Sequence, residues 1–218
     1  MINLDIENLN DVNLILERLE AHDRFIEAKI ELFEEIDKIK NNNNTNRKNI
    51  NKKKIPEIIN KKEKKSILSN IINILNYVFP DYEFKYLNNS NYKYIKNINS
   101  VIDNINYNLF YIIENIYRGF NKKIWKILKE LIDFKYCDVY TYLNDTDNDP
   151  YVDKESISSF NYFFFAKKNK RILFISCITK PKYKNHNDED FNNIYMGIQD
   201  EPSINEQNEY YDEDSSFY

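Results

Sequence analysis

Few residues of this chain have the types and spacing that carry chemistry. The sharpest set is the run LNDTDNDPYVD, where Asp145, Asp147 and Asp149 stand at alternate positions, as in the first half of a calcium loop. Such a loop turns sharply at its sixth position, normally glycine, and closes with a bidentate glutamate at its twelfth. Pro150 and Ser156 hold those positions here. The run therefore reads as an Asp-Pro turn between strands, or as an exposed acidic recognition loop. His22, with Asp23 beside it, has the chemistry of a general base but sits in a tight turn and reads as a surface residue. Cys177 lies inside an apolar run, which makes it a small core residue rather than a nucleophile, and no histidine neighbours it to activate it. Pairing His22 with Cys137 fares no better. The aromatic run NYFFF at 161–165 has the character of a strand that stacks single-stranded RNA, and Lys167, Lys168, Lys170 and Arg171 lie next to it. Glycines expected between such aromatics are absent, and core packing is the simpler reading.

Composition narrows the classes further. With 218 residues and 26.5 kDa the chain has room for one ordinary domain. Only 2 Gly are present, too few for a glycine-rich phosphate loop or a dinucleotide fingerprint. With 2 His and 2 Cys, a four-ligand zinc site and a disulfide scaffold are both out of reach. No apolar run approaches the roughly 18 residues of a membrane span. Met1 is followed by Asp5, Glu7 and Asp11, unlike a secretory signal. The expectation is an intracellular, soluble, reduced protein that names no cofactor. Asn (35), Ile (32) and Tyr (18) are over-represented, and all three have A+T-rich codons, so part of the bias is genomic.

The net charge of -4 conceals two opposed segments. From Lys40 to Lys65 there are ten Lys or Arg against two acids, Glu57 and Glu63. This Asn-rich stretch carries Pro56 and little apolar content, so burial cannot offset its ordering entropy; it reads as a disordered insert over 40–65. Its clusters Lys52, Lys53, Lys54 and Lys61, Lys62, Lys64, Lys65 suit a nuclear import signal, or non-specific nucleic-acid contact. From Asn187 to Tyr218 there are ten Asp or Glu and no Lys or Arg, so 181–218 reads as an acidic disordered tail.

Around these segments the elements are legible. Ile6, Leu9 and Val12 mark a short helix over 6–13. LILERLE and RFIEAKIELFEE, broken at 21–23, are taken as a hairpin, with Ile26, Ala28, Ile30 and Leu32 alternating against charged residues, although the helical spacing of Ile26, Ile30 and Phe33 fits nearly as well. Ser66 is the expected N-cap of a helix with Ile67, Ile71, Ile74, Leu75 and Val78 on one stripe and Pro80 as its stop. Ser100 caps a second helix running to Gly119, with Val101, Ile105, Leu109, Ile112, Ile113 and Ile116 inside. A third, KKIWKILKELI, buries Trp125, Leu128 and Ile132. Three strands come next, CDVYTYL, SFNYFFFA and RILFISCIT, the last two joined at 167–170. In the middle strand Phe160, Tyr162, Phe164 and Ala166 face one way and Asn161, Phe163 and Phe165 the other, so a central, doubly covered position is expected. The sum is an α+β domain: an antiparallel sheet of about five strands, an N-terminal hairpin plus three C-terminal strands, flanked by helices, with 1–39 and 66–180 as parts of one body.

The stretch from Cys137 to Cys177 closely resembles the signature block of the "Maf one" family of repressors of RNA polymerase III, unrelated to the leucine-zipper Maf factors. The pattern is a Cys-Asp-hydrophobic-Tyr-Thr-Tyr strand, an acidic loop ending Asp-Pro, then Ser-Phe-Asn-Tyr-Phe-Phe, a Lys/Arg-rich turn and an apolar strand ending Ser-Cys. FPDYEF at 79–84, Trp125 and the box RFIEAKIELF resemble further family elements. The resemblance implies a non-enzymatic negative regulator that binds RNA polymerase III and hinders its recruitment by the promoter-bound initiation factor. It implies a nuclear protein, shuttling with the cytoplasm, read by an import receptor and controlled by a kinase or phosphatase, with no membrane partner. Asp145, Asp147 and Asp149 are the candidate contact residues. Family inserts carry several serines, whereas this one offers only Thr45 and, at its edge, Ser66. Ser66 comes directly after KKEKK, a context for a basophilic kinase, and a phosphate there would add about -1.5 to -2 of charge beside the expected helix start. The competing expectation is a nucleic-acid-binding module built on the basic insert and aromatic strands.

Overall fold

The computed structural model describes residues 1–17, 19–21, 23–36, 55–143, 149–152 and 156–182, with 55–63 described in backbone alone. Residues 1–183 form one compact unit; the second, 184–218, lies outside the described residues.

The elements of the first unit are β1 (Ile2–Asn3), α1 (Glu7–Leu16), β2 (Leu19–Ala21), β3 (Arg24–Glu34), α2 (Ile55–Val78), β4 (Tyr92–Ile95), α3 (Ile98–Ile105), a π-helical turn (Asn106–Phe110), α4 (Tyr111–Glu114), α5 (Phe120–Leu131), a 3-10 turn (Phe134–Tyr136), β5 (Cys137–Tyr142), β6 (Ser158–Ala166) and β7 (Arg171–Pro181). The strands make one antiparallel sheet in the order β1-β3-β7-β6-β5-β4, with β2 pairing beside β1 on β3. The α+β class holds, with seven strands instead of about five. The additions, β1 and β4, have two and four residues, too few to show a period of their own.

The sheet is covered on both faces. One face packs against α1, α3, α4 and α5, and includes Ile26, Ile30, Phe164, Leu173 and Ile175. The other packs against α2, and includes Phe33, Phe163, Ile172 and Phe174. Phe163 and Phe164 are both 0% exposed though they point opposite ways. That is the doubly covered strand read from the sequence, and each ring contributes about 1.5–3 kcal/mol of burial. β3 alternates as its sequence does until Phe33, where α2 covers the second face and Tyr77 meets the ring edge-on at 5.4 Å.

An asparagine completes the ladder where strand pairing stops. On the outer edge of β3, between β1 and β2, Ile30 donates its N–H to Asn13 Oδ1 (2.9 Å), and Asn13 Nδ2 donates to the Ile30 carbonyl (2.9 Å). A side-chain amide from α1 thus stands in for a missing strand residue.

Several boundaries differ from expectation. α1 extends to Leu16 because Leu9, Val12 and Leu16 lie on one buried stripe, so LILERLE is split and its strand keeps only Leu19–Ala21. α2 begins at Ile55 rather than Ser66, so 55–65, expected as disordered insert, are helical in backbone. Pro56 is tolerated in a first helical turn and the succeeding Lys and Glu residues are good helix formers. Ser66 is therefore inside the helix and is not its N-cap. α3 is capped by Asn97, whose side chain accepts from the N–H groups of Asn99 and Ser100, rather than by Ser100. The π-helical turn inserts one residue, rotating the downstream residues by about 100°. Phe110 and Ile113 go fully inside as a result, while Ile116 is left 45% exposed. Gly119, at φ 88°, precedes the first turn of α5 instead of closing the preceding helix.

Candidate interaction surface

The signature stretch is first a folding device. Where β5–β6 pairing ends, the buried Asn161 side chain accepts from the Tyr142 N–H (2.7 Å) and donates to the Tyr142 carbonyl (3.2 Å). Tyr142 in turn donates its hydroxyl to Asp149, whose other oxygen accepts from the Tyr151 N–H at 2.8 Å. The Val152 N–H closes the turn onto the Asp149 carbonyl at 3.1 Å, with Pro150 at the second position. This is the Asp-Pro turn. Asp149 is 4% exposed, and burial pushes its carboxyl above the ordinary range while its two hydrogen bonds pull the other way. The expectation of an exposed contact carboxylate is corrected for Asp149: a ladder of two tyrosines and one asparagine needs an acceptor beneath it. Asp145 and Asp147 lie outside the described residues.

Nor does the arrangement form a stacking platform. Phe163 and Phe164 are interior. Two lysines of the adjoining turn are held by acids: Lys167 by Asp138 (2.8 Å) and Lys168 by Asp133 (2.9 Å), with Lys168 also 3.6 Å above the Tyr136 ring. Arg171 donates to the Leu131 carbonyl at the end of α5 (3.2 Å).

Of the import lysines, Lys52, Lys53 and Lys54 lie outside the described residues, and Lys61 and Lys62 are described in backbone only. Lys64 and Lys65 are exposed, as is Ser66 beside them. Ser66 lines a cleft with Asp138, Tyr140 and Lys167.

The candidate nucleophiles are not activated. Burial pushes the Cys137 thiol up to about 12, with Asp133 and Asp138 adding to the effect, and pushes Cys177 to about 12 as well. His22 lies outside the described residues. Among the described residues no cluster of three His, Cys, Asp or Glu could hold a metal ion, and no helix is long and apolar enough to cross a membrane.

A surface feature not anticipated from sequence is the outer face of α5. Lys122, Trp125, Lys126 and Lys129 have i, i+3, i+4, i+7 spacing and line a groove facing Tyr111 of α4. The spacing is visible in KKIWKILKELI, but there the apolar half of the helix dominates the pattern.

Comparison with known proteins fits this geometry. The family model described as Maf1 regulator matches residues 16–176. A Dictyostelium discoideum protein named "Repressor of RNA polymerase III transcription" is 33% identical over 146 residues, covering 66% of this chain and 52% of its own. "Repressor of RNA polymerase III transcription maf1" of Schizosaccharomyces pombe is 36% identical over 108 residues, covering 49% of this chain and 44% of its own. The chain thus spans about half the length of these curated relatives. Crystal structures of citrus MAF1 in two space groups share the fold. Their TM-scores are 0.56 and 0.58 at 20% and 21% identity, covering 80% and 82% of this chain and 98% and 99% of theirs.

Proposed function

The chain belongs to the Maf1 regulator family, and on that premise we propose that it is a negative regulator of transcription by RNA polymerase III. It binds the polymerase and hinders its recruitment to promoters by the initiation factor. The observation that carries the reading is a family match over residues 16–176, from the end of α1 into β7, together with relatives named for this repression. A sheet covered on both faces supports a mechanism of occlusion, since a body of this kind keeps its shape against a large partner. It acts without catalysis, a reading supported by two thiols held protonated at neutral pH.

The nucleus is its site of action, shared by shuttling with the cytoplasm, with Lys52, Lys53, Lys54, Lys61, Lys62, Lys64 and Lys65 read by an import receptor. Asp145 and Asp147 contribute acidic contacts; Asp149, being buried, does not. Phosphorylation of Ser66 by a basophilic kinase is the proposed control. Because Ser66 stands inside α2, its phosphate would act through the adjoining cleft and lysines, not through a helix start. Mass spectrometry should find Ser66 modified in growth or in starvation; an unmodified serine in both contradicts the control.

The test of the main reading is co-purification. A tagged chain should recover RNA polymerase III subunits, and its depletion should raise transfer RNA synthesis. Recovery of none, with unchanged synthesis, would contradict it.

A further inference from the structure

The α4–α5 groove joins two features that seldom coincide without a ligand. The first is unpaired positive charge. Lys122, Lys126 and Lys129 stand on one helical stripe, span about 10 Å at 1.5 Å per residue, and have no ion-pair partner among the described residues. Two acids share the rim with them, so the three ammonium groups outnumber the carboxylates by one. Glu114 accepts from the Gly119 N–H (2.7 Å) and the Asn121 N–H (2.8 Å), so its carboxylate is engaged in capping α5 and is held below the ordinary range by those bonds. Glu130 is the remaining acid on the rim.

The second feature is an aromatic wall held in place from behind. Trp125 donates Nε1–H to Asn106 (2.7 Å), the first residue of the π-helical turn, and its ring packs edge-to-face with Phe110 (5.4 Å) and Phe134 (5.5 Å). Opposite, Tyr111 is 53% exposed, across a shallow groove of about 810 Å³ open to solvent. The π-helical turn links these facts: the residue it inserts brings Phe110 inside and leaves Tyr111 facing out.

We propose that this groove docks an acidic peptide segment of a protein partner, with an apolar or aromatic side chain seated between Tyr111 and Trp125 and its carboxylates along Lys122, Lys126 and Lys129. Charge complementarity selects the acidic occupant. The state of Trp125 selects peptide over nucleic acid. Base stacking needs open aromatic faces, whereas this ring is half-buried with its N–H committed. The proposal deepens the polymerase-binding reading and rests on it for the identity of the partner, but not for the chemistry of the groove.

Trp125 is the single tryptophan of the chain, so its emission reports on the groove directly. The probe is a twelve-residue peptide of alternating Asp and Glu with two central Phe, titrated against the full chain. A Phe-free peptide of equal charge and a twelve-nucleotide oligo-dT serve as comparisons. The Phe-containing peptide should shift the emission, bind more tightly than either comparison and weaken with salt. The triple variant Lys122→Gln, Lys126→Gln, Lys129→Gln should bind it about tenfold more weakly or worse while unfolding close to the wild-type temperature, because the three ammonium groups make no ion pair among the described residues and glutamine is as good a helix former as lysine. Equal binding by the variant, no binding by the wild type, or tighter binding of oligo-dT would each overturn the proposal. Capture of RNA polymerase III separates the two readings. If the variant captures it as well as the wild type, the groove is not the docking site and the repressor reading stands. If neither captures it while the peptide still binds in a lysine-dependent way, the repressor reading fails and the groove stands.

Discussion

Asp149 carries the most instructive single side chain. It is a carboxylate placed where charge is disfavoured, kept there by the Tyr142 hydroxyl and the Tyr151 N–H. A buried acid with a raised folded pKa binds its proton more tightly folded than unfolded. Its contribution to stability is therefore greatest at low pH and declines as pH rises through the unfolded value, near 4, toward the raised folded one. Asp149→Asn keeps an acceptor for Tyr151 and removes the charge, so at pH 7 it should unfold at equal or higher denaturant than the wild type. As pH falls toward 4 the wild type should gain relative to this variant. Asp149→Ala strands two buried donors and should lose about 1–3 kcal/mol. Urea titrations at pH 7 and pH 5 compare the three; an Asn variant as damaged as the Ala variant at pH 7 would mean the charge itself is needed. Asn161 makes the same point without charge. Asn161→Ala removes the side-chain acceptor of the Tyr142 N–H and one donor to the Tyr142 carbonyl, and should cost about 1–3 kcal/mol in the same titration.

At the scale of elements, legibility in the sequence depends on how many residues share a pattern. β3, α2 from Ile67 onward and α5 are legible because their apolar residues repeat at one period, and β6 and β7 because they are dense apolar runs on either side of a polar turn. β1 and β4 are not, since they are defined by neighbours: Tyr92 and Tyr94 pair with Tyr142 and Tyr140 only once β5 is in place. The π-helical turn is invisible for a related reason, because an inserted residue disturbs the period only past its own position. Gly119 reads from sequence as the stop of one helix, yet its φ of 88° precedes α5 and lets its N–H reach Glu114. An added Cβ would meet nothing within 4 Å there. Gly119→Ala should therefore cost only the left-handed backbone penalty, about 1–2 kcal/mol, and Gly119→Asn less. A loss well beyond that in thermal unfolding would mean the turn does more than reverse the chain. For the surface, the sequence points to Asp149, which the fold places inside, and gives little weight to the lysines of α5, whereas the aromatic strand, read as core, is core. Burial depends on which faces meet in space, and a local period does not contain that.

At the scale of the molecule, the 137–177 block unites the two halves. β7 pairs along its length with β3, from Arg24 opposite Pro181 to Glu34 opposite Arg171, so the N-terminal strand and the C-terminal strand share one interior. Among the described residues the lysine stripe of α5 and tyrosines such as Tyr107 and Tyr111 lie outside, while Cys177, Phe163 and Phe164 are interior. That distribution suits a protein that acts by occupying a surface. The most direct measurement adds the purified chain to RNA polymerase III and its initiation factors on a transfer RNA template. Transcript yield should fall with dose when the chain meets polymerase before promoter assembly, and polymerase should co-precipitate with it. Full transcription at saturating protein, with no polymerase bound, would contradict the account.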